Sequence, residues 1–119
     1  MSLGANFAQL TEDLPPADVR HVLGVFEADV RRLVDALASA AAEGDSGRFR
    51  RQAHALAGAA GVVGASGLEA ACRAQMARTD AADPAAMREN ARAIALWAET
   101  ALADVAAFVA RMDRRHGGP

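Results

Sequence analysis

Apolar residues recur along this chain with a helical period. Taking about 100° per residue, Val19, Val22, Leu23, Phe26, Val30, Leu33, Val34 and Leu37 fall within roughly 60° of one meridian. Arg20, His21, Arg31 and Asp35 occupy the opposite face. The pattern predicts a long amphipathic helix from about Pro16 to Ala42, stopped by Gly44 and Asp45. A second stripe, Phe49, Ala53, Leu56, Ala60 and Val63, begins after Asp45 or Ser46, both competent N-caps, and closes at Gly64. Ser66-Gly67-Leu68-Glu69 has the form of a capping box and opens a third helix, with Leu68, Ala71, Cys72, Gln75 and Thr79 facing inward. Asp83-Pro84 then pairs an N-cap with proline at the first helical position. Behind it Met87, Ala91, Ile94, Trp97, Ala98, Ala101, Val105, Phe108 and Met112 keep one stripe to about Met112.

Amphipathic helices joined by short connections imply an all-α fold, an antiparallel up-down four-helix bundle forming one domain over residues 14–112. Within residues 1–13, Asn6 to Leu14 could add a short N-terminal helix, and Met1-Ser2-Leu3 could be an expression scar. Residues 113–119 show no periodic pattern and are expected to form a frayed tail.

Composition narrows the function classes. The chain has 119 residues, 52% hydrophobic and 24% charged, as a globular domain should. A net charge of −2 gives no bulk attraction for nucleic acid or membrane. All 13 basic residues are arginine, which excludes Schiff-base lysine chemistry and a P-loop. The single cysteine, Cys72, cannot form an internal disulfide, and its place on an inner stripe suits the core. There is no basic-then-apolar leader, and no uncharged apolar run reaches the ~18 residues of a spanning helix. Cytoplasmic residence is the expectation. No metal cluster, Walker loop or kinase glycine-rich loop is found, so neither metal nor cofactor is expected.

The candidate chemistry lies in the second helix. Measured from Phe49, His54 falls at about 140°, well away from the core stripe. Gly58 falls near 180°, Gly61 near 120°, Arg50 near 100° and Arg51 near 200° on the same estimate. An outward imidazole therefore has bare glycine one turn beyond it and arginines one turn before it. Neutral imidazole is a competent nucleophile and phosphoryl acceptor, and the arginines could pair with phosphoryl oxygens. Glycine would let a partner approach without a side-chain clash. The bland reading is that a surface histidine is incidental and the glycines serve helix packing. His21 and His116 read as incidental in that sense, and Trp97 reads as core.

His54-Ala55-Leu56-Ala57-Gly58, followed by Gly64, Leu68 and Cys72, resembles the signature of histidine-containing phosphotransfer (HPt) domains. The resemblance extends over roughly Leu14 to Met112. It implies a phosphocarrier without an ATP site, in which His54 relays a phosphoryl group between aspartates of receiver domains in a two-component phosphorelay. The implied partners are response-regulator receiver domains and a sensor histidine kinase. Mg²⁺ would sit in the receiver, and the carrier would work as a monomer. Arg50, Arg51, Ala57, Gly58 and Gly61 would contact the phosphoryl group or the partner. One departure matters: the family usually carries lysine, thought to help bind the phosphoryl group or the partner's site, where this chain has Ala57. Arg50 or Arg51 could supply that charge. Two other readings are a dimeric phosphoacceptor module of a sensor kinase and a non-phosphorylated HPt-like interaction module. The first normally has an acidic residue just after the histidine and a proline a turn later, where this chain has Ala55 and Gly58.

Overall fold

The computed structural model describes residues 7, 9, 11–77 and 83–116, with only the backbone described for His116. Its helices are α1 (Pro16–Glu43), α2 (Ser46–Val63), α3 (Ser66–Met76) and α4 (Pro84–His116). Each helix packs on its neighbour in sequence, and α1 closes the ring against α4, leaving only a light diagonal contact between α2 and α4. This is the expected helical bundle, with no strand among the described residues. Because α1 and α4 are much longer than α3, the molecule is drawn out to 52 × 21 × 19 Å.

Local chemistry sets the helix ends. Pro16 starts α1, where a missing N–H costs nothing. Gly44 ends it at φ 70°, and Asp45 N–H donates back to the Ala40 carbonyl at 2.9 Å. Of the two candidate caps of α2, Asp45 is used: its Oδ1 accepts the Arg48 N–H at 3.0 Å. Gly64 repeats the left-handed stop at φ 72°. The Asp83 carboxylate accepts the Ala86 N–H at 3.1 Å and opens α4.

Val19, Leu23, Phe26, Val30, Leu33 and Leu37 of α1 are buried against Phe49, Ala53, Leu56, Ala60 and Val63 of α2. Leu68 and Cys72 of α3 and Met87, Ile94, Ala98, Ala101 and Val105 of α4 complete this core. The N-terminal turn contributes as anticipated: Phe7, Gln9 and Thr11 are helical, and Phe7 packs on Phe108 with ring centroids 5.6 Å apart. An 18-residue window within Pro84–Arg115 has mean hydropathy 1.6, long and apolar enough by composition to cross a membrane. Part of that apolarity supplies the α4 side of the core, and Glu99 and Asp104 interrupt it.

Several expectations are corrected. Trp97 is not core: it is 40% exposed, because its ring lies sideways over Gly67 while Ala98 takes the inward position. The capping box does not form; the N-cap of α3 is Ala65, without a side-chain cap, and Glu69 pairs instead with Arg73 at 2.9 Å. The last helix continues past Met112 to His116, where buried Met112 and an Arg20–Asp113 ion pair tie its end to α1. Val22, placed on the α1 stripe, is 38% exposed. Thr79 lies outside the described residues.

Candidate functional site

His54 projects from the middle of α2 and is exposed, as its angle to Phe49 requires. It has no side-chain hydrogen-bond partner among the described residues. Buried Ala53 and Leu56 on either side anchor this turn in the core, so the imidazole stands on a fixed backbone. One turn on, a Cβ placed at Gly58 would meet nothing within 4 Å. The strip beyond His54 is therefore open to an incoming surface.

The other expected contacts divide. Arg50 Nη1 donates to the Met76 carbonyl at 3.4 Å, at the C-terminal end of α3. The Arg51 guanidinium lies back along α2, with Nη1 3.4 Å from where a Cβ on Gly47 would stand. Ala57 does not belong at a contact surface: at 1% exposure its methyl is part of the core, on the flank of α2 that meets α3. Gly61 faces outward but is not empty space. A Cβ there would come within 3.3 Å of Glu69 Oε2, so this glycine makes room for a carboxylate of α3. Sequence reasoning missed Glu69 and Arg73, although their i, i+4 spacing, typical of a helical ion pair, was visible.

On the other flank of α2, an open groove of about 250 Å³ runs between α1 and α2. Val22, Val25 and Val62 line it with His21 and Asp29 at its edge; Val25 is 49% and Val62 68% exposed. The sequence pattern puts Val22 on the core stripe and does not single out Val25 or Val62, which both lie off the stripes of their helices. Cys72 is buried in α3, and loss of solvation pushes its thiol up to about 12, against a smaller opposing pull from Arg73. It is no nucleophile at neutral pH. Among the described residues, no three His, Cys, Asp or Glu side chains gather as a metal site would require.

An outward histidine on a rigid bundle helix, followed one turn on by open space at Gly58, leaves an imidazole accessible to a large incoming surface. The Hpt domain family matches residues 21–108, a span that contains His54, all of α2 and α3 and most of α1 and α4. The chain belongs to the Hpt domain family, whose members are phosphocarrier modules of histidine phosphotransfer in two-component signalling. Searches of curated proteins and of solved structures gave no match.

Proposed function

We propose that His54 receives a phosphoryl group from the aspartyl phosphate of one receiver domain and passes it to the aspartate of another. The observation that carries this reading is the exposed imidazole, without a hydrogen-bond partner among the described residues, beside the open strip at Gly58. In the forward step the unprotonated ring nitrogen attacks phosphorus in line. An N–P bond forms as the acyl O–P bond breaks, and the electron pair stays on the aspartate as carboxylate. The ring keeps the proton on its other nitrogen, and the reverse step restores neutral imidazole. The receiver contributes Mg²⁺ from its own acidic pocket, and the carrier contributes a positioned nucleophile on a fixed helix. The chain needs no ATP site for this exchange and acts as a monomer in the cytoplasm, served by a sensor histidine kinase upstream.

The receiver docks across the outer face of α2. Arg51, His54, Gly58 and Val62 are all exposed there, and the valine groove beside α1 is continuous with them. Apolar area next to a reactive group suits a partner that must bind and leave repeatedly. Buried Ala57, where the family carries lysine, favours a second reading: an HPt-like module that binds a receiver without accepting phosphate.

The test is incubation with radiolabelled, phosphorylated receiver domains encoded in the same genome. The wild type should gain acid-labile label and His54→Gln none. Binding without label from any receiver would replace this reading with the second one.

A further inference from the structure

Ala57 is buried, so the charge that would meet a phosphoryl group on His54 has to come from elsewhere. The α2–α3 hairpin shows where. From Phe49, Arg50, His54 and Gly61 lie at about 100°, 140° and 120°, on one edge of α2. Both ends of that edge touch α3, through Arg50 to the Met76 carbonyl and through Gly61 to the Glu69 carboxylate. So α3 runs along the edge that carries His54. Its register follows from the turn between Val63 and Ser66. Counting equally far from each, Arg73 stands opposite Leu56, about 3 Å along the axis from the level of His54.

The geometry points to Arg73 as the cation that receives the phosphoryl group of His54, with Glu69 as its positioning residue and Gly61 as the space that lets Glu69 do so. This rests on the phosphotransfer reading above. Arg73 Nε and Nη2 both donate to Glu69 Oε2, at 3.1 and 2.9 Å. Those bonds use two of the five guanidinium N–H groups and leave three for phosphoryl oxygens. They also draw the side chain back along α3 toward Glu69, whose carboxylate lies against Gly61. Its side chain remains 56% exposed, so its fork is accessible to a phosphoryl group brought alongside it. Arginine suits this task because its fork can take two phosphoryl oxygens at once. Arg50 and Arg51 are less well placed, one bonded across to α3 and the other folded back over Gly47.

The test compares the initial rate of label transfer from the most active phosphorylated receiver to wild type, Arg73→Ala, Arg73→Lys and Glu69→Gln, with folding checked by circular dichroism. Receiver affinity is measured separately, using the beryllofluoride-activated receiver. Arg73→Ala should slow transfer about tenfold or more with affinity little changed. Arg73→Lys should recover part of the loss, and Glu69→Gln should fall between wild type and Arg73→Ala. If wild type is labelled at His54 and Arg73→Ala is labelled equally fast, the assignment of Arg73 is wrong and phosphotransfer stands. If wild type takes no label from any receiver, phosphotransfer itself is wrong and this inference falls with it.

Discussion

Gly67→Ala sets two known effects against each other at one atom. The ring of Trp97 lies over Gly67: an added Cβ would stand 2.3 Å from Cζ3, 2.5 Å from Cε3 and 3.1 Å from Cη2. Alanine in a helix is worth up to about 1 kcal/mol over glycine, and less this close to the N-terminus of α3. Against that gain, the indole must move. With 40% of the residue exposed, Trp97 covers on the order of 100–150 Å² of the bundle, worth roughly 3 kcal/mol at ~25 cal/mol/Å² if all of it were released. A partial tilt releases only some of it, and overpacking of this kind typically costs about 1–3 kcal/mol. The expected net effect is destabilisation by about 1–2 kcal/mol, a drop in Tm of roughly 4–10 °C for a domain of this size. Thermal and urea unfolding followed by circular dichroism would measure it. Trp97 is the only tryptophan, so its native-state emission should shift to the red as the ring turns toward water. Unchanged emission together with equal or greater stability would refute the packing argument.

Two further substitutions and one titration separate structure from function. Gly58→Ala fills open space in a helix interior, so it should stabilise the fold by up to about 1 kcal/mol in urea unfolding while slowing phosphotransfer, because a methyl now stands in the strip beside His54. Faster or unchanged transfer would show that the strip is not a docking surface. Cys72 should resist thiol reagents in the native state at pH 8 and react only on unfolding, since burial holds its thiol near 12 against the ordinary 9.0. A thiol raised in the folded state supports folding fully below its unfolded value. Stability should therefore decline as pH rises from about 9 toward 12, and Cys72→Ala should remove that part of the decline.

Much of this was legible in the sequence because period alone places large side chains. The α1 stripe from Val19 to Leu37 and the Gly44 and Gly64 stops needed no tertiary information. His54 could be placed outside the core from its angle to Phe49 alone. What failed depended on neighbours in space. Glu69 fits a capping pattern, yet a partner one turn later and the room at Gly61 draw it to Arg73. Trp97 fits the α4 stripe, yet Ala98 takes the inward place beside it, and Gly67 offers the ring a seat outside. Gly61 and Gly58 look alike in sequence, and only packing shows that one accommodates α3 while the other stays open. Ala57 looked like a contact because it stands where the family carries lysine, but its angle turns it onto the flank against α3.

The most direct test of the account is a chase of the phosphorylated protein. Wild type, labelled by a phosphorylated receiver and repurified, should carry its label on the peptide containing His54. It should then surrender that label to a fresh unphosphorylated receiver in the presence of Mg²⁺, while His54→Gln takes up none at the outset. Label located on any other residue, or equal labelling of wild type and His54→Gln, would contradict it.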